Sequence, residues 1–408
     1  MNTTLSQSRR FVLTLGALTA SAALTVDMSL PAIPSMVDAL QSTLTRGQQI
    51  VGIFMFGMAV GQIPAGLFSD RLGRLPTLYA GMALFAVAAT VAAAAVDMEW
   101  LLAARFVQGI GAASAVVVSR AMVRDIASGR EAARLMSLLT MIFTAAPVIA
   151  PTFGALLVAQ WGWRAPFIAI AACACLMILA IHRNLVETHT PVVSAHPVRQ
   201  LLTSFGEFFA HRQSVFGLLL LLLQPAGFMS VIAVSAALTV EIYGYSVEAY
   251  GLIFACAGLS ILVGSMANRI LVMRFDQLQL IGLGIALMFI ASAQLAIIAW
   301  LDSAPFWWLW SSVCLYMFTI AILMSNTMVI ALDPLPRIAG VASSIVGTLQ
   351  NLAGAGGALL GAVIYNGSVR NAVIIIASAG LATSLIFLLR PLIAPGPFVH
   401  HPEELARD

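Results

Sequence analysis

Long apolar runs separated by brief polar breaks cover nearly all of this chain. Twelve of them are long enough to cross the roughly 30 Å core of a bilayer: residues 11–37, 48–68, 77–96, 100–121, 135–159, 164–182, 214–240, 249–272, 278–300, 305–331, 338–365 and 370–390. In lipid each backbone amide and carbonyl must be paired within its own segment, so the pattern predicts helices. One break is much longer than the rest. Between Arg183 and Arg212 it holds Pro191, Pro197 and the apolar-aromatic piece LLTSFGEFFAHR, which reads as a linker followed by a helix lying in the membrane surface. The expected organisation is a six-helix half (1–182), a linker with its surface helix (183–212), a second six-helix half (213–390) and a tail (391–408).

Composition agrees with that pattern. Of 408 residues 61% are hydrophobic and only 9% charged, with a mean hydropathy of +0.98. A soluble protein of this length needs far more charge, so the expected class is an all-α, polytopic membrane protein. Every one of the 20 basic residues is arginine. Sixteen fall at the ends and loops on one side; Arg46, Arg164 and Arg370 fall on the other, and Arg105 lies inside a span. Basic residues collect on the cytoplasmic side, which predicts that both termini are cytoplasmic. Arg9 and Arg10 before an apolar run resemble an export signal, but an uncleaved first helix with two inside arginines explains them better. The net charge of +3 is no nucleic-acid signal once its distribution is considered. Four cysteines in apolar runs show no disulfide or metal spacing, and the six histidines avoid span interiors.

The stretch GLFSDRLGR, Gly66 to Arg74, concentrates charge in a turn between two spans. Gly66 and Gly73 permit tight backbone geometry. Asp70, Arg71 and Arg74 can pair with each other or with Asp125 at the inner end of the fourth span. Such a network can act as a latch present in one conformation and broken in another. On charges alone the turn reads equally well as ordinary inside charge with a compensating acid. The related GSMANR, from Gly264, lies 198 residues later at the matching place in the second half. Gly66, Asp70 and Arg71 align with Gly264, Asn268 and Arg269. Two repeated six-helix halves about the membrane normal are a transporter architecture, with a substrate site between the halves.

Asp27 is the one acidic residue well inside a span. Intramembrane acids are costly and mark function, and a carboxyl in low dielectric takes up protons more readily than in water. Counting from Phe11 places it about 24 Å along the helix, in the outer part of the core. Arg105 enters from the other side to about 8 Å depth, a similar level. A pair, direct or bridged, is geometrically open; so is snorkelling of Arg105 to the outer surface. Since arginine keeps its proton, Asp27 is the group that would titrate. In APVIAPTFG, Pro147 and Pro151 share one face of the fifth span and should bend it. Ala146, Ala150 and Gly154 are expected to permit close contact with a helix of the other half. Between Ser214 and Arg390 every charge lies near a span end, which assigns proton handling to the first half. Met55, Met58, Gln62, Gln108, Phe228, Ser235, Tyr316, Asn326, Gln350 and Asn351 are candidate substrate contacts, a soft and mostly apolar lining that suits varied lipophilic compounds.

Gly66-x-x-x-Asp70-Arg71-x-Gly73-Arg74 resembles motif A of the major facilitator superfamily. LTVDMSLPAIPSM, RFVQGIGAA and APVIAPTFGALL resemble its twelve-span drug:proton antiporters, and WGWRAPF and PRIAGVASSIVGTLQ resemble the Bcr/CflA drug-resistance branch. Leu75 and Ala155 depart from the usual basic residue and glycine; the second departure is expected to loosen packing near the fifth span. The resemblance implies the major facilitator fold, proton coupling through Asp27 and Arg105, and an antiporter motif at Pro147, Pro151 and Gly154 that seals the interface between halves. The implied function is proton-driven export of lipophilic drug-like molecules across a bacterial inner membrane by a monomer. Neither cofactor nor metal is expected, and no nucleic acid or enzyme chemistry. A proton-coupled symporter or a specialised metabolite exporter of the same fold is the alternative.

Overall fold

A computed structural model describes residues 9–127, 129–189, 197–335 and 338–396, and these are all helix, turn or irregular backbone. The first span is Arg9–Ser29, interrupted by a 3-10 turn at Leu30–Ala32 and resumed as Ile33–Ala39. Pro31 and Pro34 sit at this break, each without an amide to give the helix. The next five spans are Leu44–Leu72, Arg74–Ala93, Met98–Ile126, Gly129–Trp161 and Ala165–Asn184. The linker helix is Pro197–Ala210. The second half holds Arg212–Ala237, continued by a π turn at Leu238–Ile242, then Val247–Leu271, Gln277–Leu301, Phe306–Leu332, Ala339–Ile364 and Val369–Leu388. A short helix, Arg390–Ile393, follows.

Eleven of these helices are apolar and long enough to cross a membrane. The eleventh span, Ala339–Ile364, has 26 residues but a lower hydropathy, because glycines and the adjacent Gln350 and Asn351 dilute it. It packs against the second and seventh spans rather than facing lipid on all sides. Four spans begin at the end opposite the GLFSDRLGR turn with a side chain capping the helix: Thr43, Asp97, Ser246 and Ser368 accept amides of Arg46, Trp100, Ala249 and Asn371. Each satisfies a donor that the first helical turn leaves open.

Within the first half the main pairs are first with fifth, second with fourth, third with fourth and third with sixth; within the second half they are seventh with eleventh and twelfth, eighth with tenth, and ninth with tenth and twelfth. The halves meet mainly along two pairs, second with eleventh and fifth with eighth. Advancing each member by six spans around the chain exchanges these two pairs, as an internal repeat requires. Glycines bring the backbones together: a Cβ on Gly57 or Gly61 would run into the carbonyls of Phe106 and Ile110, and one on Gly357 or Gly361 into those of Ala226 and Ser230. In the linker helix, Phe208 is buried with Leu218, Leu221, Ala331 and Ala342 under the second half. Leu202 and Phe209 on the same helix are exposed, as suits a helix at a bilayer surface.

Candidate functional site

Gly73 joins the second and third spans at φ 103°, a conformation glycine adopts without strain. The tight turn puts Arg74 on the first turn of the third span, with its side chain buried. Its guanidinium makes a two-pronged pair with Asp125, Nε to Oδ2 at 2.8 Å and Nη2 to Oδ1 at 3.1 Å. Nη1 donates to Asp70 Oδ1 at 2.6 Å and to Ser69 Oγ at 2.7 Å. The planar fork of arginine matches two carboxylates at once, which an ammonium would not. Arg71 is exposed and takes no part in this network. Gly66 is half-buried, its nearest neighbour being Val117 of the fourth span.

Sequence reasoning missed the residues that close this network. Glu187, just past the sixth span, accepts the backbone amides of Arg74 and Leu75, both at 2.9 Å. It thereby serves as an anionic cap on the third span's N-terminus. Thr188 Oγ1 donates to Asp125 Oδ2 at 2.9 Å, and His189 lies 3.3 Å from the Asp70 carbonyl. Glu187 stands 113 residues from Arg74, in a stretch without helical periodicity, so only its charge hinted at a role.

Asp27 lies in the last turn before the break in the first span and is 4% exposed. Among the described residues its carboxylate has no hydrogen-bond partner or ion pair. Arg105 is fully buried and does not snorkel. It donates through Nη1 to Gln108 Oε1 (2.8 Å), and at 3.4 Å to Ile50 O and Ser29 Oγ. Its Cζ sits 4.5 Å from the ring centroid of Phe54 and 5.8 Å from that of Phe167, so aromatic faces and neutral acceptors hold the cation. Asp27 and Arg105 therefore form no direct ion pair here. Ser29, two residues from Asp27, connects their surroundings.

The fifth span carries this site to the other half. Gly154 packs on the backbone of Met28, where a Cβ would overlap the carbonyl; its close contact is with the first span of its own half, not with the second half. The face meeting the second half carries Pro151, Thr152 and Ala155, and Thr152 Oγ1 donates to the Gly251 carbonyl at 3.1 Å. A Cβ on Gly251 would lie 2.9 Å from Thr152 Cα and 3.0 Å from Ala155 Cβ. The glycine expected at 155 is thus matched by one on the opposing helix, and packing here is tight rather than loosened. Next to it, Tyr250 is buried and bonds Ser235 Oγ at 2.9 Å. The side chain of Pro147 is outside the described residues.

The candidate substrate contacts divide into two groups. Met55 and Gln62 lie buried on the second span facing the eleventh, and Met58 is buried on the same span. Thr348 donates to Gln62 Oε1 at 3.0 Å across the halves, and Gly354 leaves room for the Met55 tip. Phe228, Gln350 and Asn351 are half-buried, with Asn351 bonded to Gly347 O at 3.1 Å. Of the others, Gln108, Ser235 and Asn326 are engaged in hydrogen bonds elsewhere. Gln108 holds Arg105, and Ser235 holds Tyr250. Tyr316 is fully buried beside Gly227. Asn326 donates to Asn268 Oδ1 at 2.7 Å and to Ile322 O at 2.8 Å.

A family model described as Major Facilitator Superfamily matches residues 15–358. The chain belongs to the major facilitator superfamily. Such transporters handle small-molecule substrates, and this one is a multi-pass membrane protein. It is 28% identical over 347 residues to the bicyclomycin resistance protein homolog of Haemophilus influenzae, covering 85% of this chain and 87% of that one. It is 28% identical over 323 residues to multidrug resistance protein D of Escherichia coli, with 79% and 81% covered. A crystal structure of a D-xylose-proton symporter matches with a TM-score of 0.75 at 18% identity, covering 93% of this chain and 97% of that one. That likeness supports the two-half fold of this superfamily protein and nothing about its cargo.

Proposed function

We propose that this superfamily member is a proton-coupled antiporter of the Bcr/CflA type, exporting lipophilic drug-like molecules across a bacterial inner membrane with both termini in the cytoplasm. The observation that carries it is the buried Asp27 carboxyl group, without a partner among the described residues, placed where the first, fifth and eighth spans meet. A carboxyl there is stable neutral and costly charged, so its proton should be exchanged only when one face opens to water. Gly154 on Met28 and Gly251 on Thr152 tie the backbone beside Asp27 to the interface between the halves. A change of charge at Asp27 is therefore placed to bias how the halves pack, which is the requirement for alternating access. Arg105 supplies a fixed positive field nearby and keeps its proton. The Met55, Met58, Gln62, Gln350 and Asn351 region offers a soft surface between the second and eleventh spans for the substrate. The proton gradient would supply the driving force, with no cofactor, and a single chain would suffice.

The names of the resistance-protein relatives support this reading over import. Drug susceptibility of an efflux-deficient host expressing the chain, across a broad compound panel, tests it. Raised resistance to some lipophilic compounds is expected. Resistance to none, together with proton-driven uptake of a nutrient, would replace it with the symporter alternative.

A further inference from the structure

The end of the bundle carrying the GLFSDRLGR turn has a second feature, a groove between the first and sixth spans. It is an open depression of about 420 Å³ lined by Arg10, Leu176, Leu179, Ala180, Arg183 and Asn184. Asn184 Nδ2 donates to Thr14 Oγ1 at 3.0 Å, which fixes the end of the sixth span against the first. The Arg10 and Arg183 side chains are exposed, and among the described residues neither has a hydrogen-bond or ion-pair partner. Leu13, Leu176 and Leu179 are also exposed. The two spans run in opposite directions, so the leucines lie about 5–10 Å deeper along the helix axes than the arginines. Two cations at one level, with a bare apolar strip below them, match one end of a phospholipid: charge at the headgroup, hydrocarbon beneath.

We propose that this groove seats an anionic phospholipid of the leaflet on the arginine-rich side. Its phosphate lies between Arg10 and Arg183, and an acyl chain lies over Leu13, Leu176 and Leu179. Uncompensated positive charge selects a headgroup of net negative charge over a zwitterionic one, whose own amine already balances the phosphate. The apolar strip distinguishes a lipid from a free phosphate, which would use the guanidinium groups alone. Each arginine near an anionic surface contributes about fivefold to binding, so the two together contribute about thirtyfold.

The purified full-length chain, titrated in detergent with phosphatidylglycerol, cardiolipin or phosphatidylethanolamine and read by native mass spectrometry, tests this. Both anionic lipids should be retained over phosphatidylethanolamine. R10Q/R183Q should lower that retention about thirtyfold, R10K/R183K should keep most of it, and R46Q at the opposite end should change nothing. Should the double glutamine variant fail to accumulate, R183Q alone carries the test with an expected loss of about fivefold. Equal retention of phosphatidylethanolamine, or retention unchanged in the arginine variants, would overturn the proposal. So would displacement of bound lipid by millimolar inorganic phosphate, which would indicate a soluble-anion site.

Discussion

Asn326 Nδ2 donates to Asn268 Oδ1 at 2.7 Å, joining the tenth span to the eighth. Asn268 is the repeat counterpart of Asp70, and Asp125 advanced by the same 198 residues falls at 323, close to one helical turn before Asn326. The two halves thus hold related junctions at the same end of the bundle, one built from charges and the other from amides. A charged junction can respond to water and field as the halves move; a neutral one holds its geometry.

The difference has an energetic signature. Asn326→Ala removes a neutral hydrogen bond and should lower stability by about 1 kcal/mol. Asp125→Ala leaves the buried Arg74 with a single, largely exposed carboxylate, and should lower it by about 3 kcal/mol. Thermal unfolding of the two purified variants compares them directly. Equal losses would mean that the charged junction contributes no more than the neutral one.

Asp70→Asn should preserve folding, because Arg74 keeps both prongs to Asp125. If the junction is a latch, transport turnover falls several-fold while the apparent substrate affinity stays within about twofold. Loss of membrane insertion with no change in turnover per molecule would leave the turn a topological signal only.

Much of the fold was legible in the sequence because lipid leaves the backbone so few choices. Runs of sufficient length had to be helices, and even Ala339–Ile364 stood out by its length and spacing despite its glycines and amides. The Arg74–Asp125 pair was legible because charges at helix ends in a charge-poor chain have few possible partners. Glu187 was not, since a loop residue capping a helix far away in the sequence leaves no periodic trace. Ser235, Gln108 and Asn326 read as cavity-lining in the sequence because polarity in an apolar run marks that a residue faces something polar, without saying what. Their partners, Tyr250, Arg105 and Asn268, lie on other helices, and only packing brings each pair together.

The seam between the fifth and eighth spans makes its own prediction. Gly251→Ala forces Thr152 and Ala155 back by several tenths of an ångström, an overpacking cost of about 1–3 kcal/mol in one conformation. Transport should drop while expression persists, and Ala155→Gly on the facing helix should restore part of it. Failure of that second change to rescue would separate the defect from this contact.

Arg105→Lys keeps the positive charge but loses the fork that reaches Gln108, Ser29 and Ile50 together. Proton-driven export should fall by at least tenfold, with energy-independent counterflow less affected. Full activity in the lysine variant would reduce the role of Arg105 to charge alone.

On the proposed mechanism, Asp27 is the group through which the proton gradient drives the halves. The most direct measurement is export into proteoliposomes under an imposed proton gradient, comparing wild type with Asp27→Asn for any compound the panel identifies. The neutral variant is expected to bind and exchange the compound but no longer to accumulate it, with an exchange rate that no longer depends on pH. Gradient-driven accumulation at the wild-type level by Asp27→Asn would contradict that mechanism.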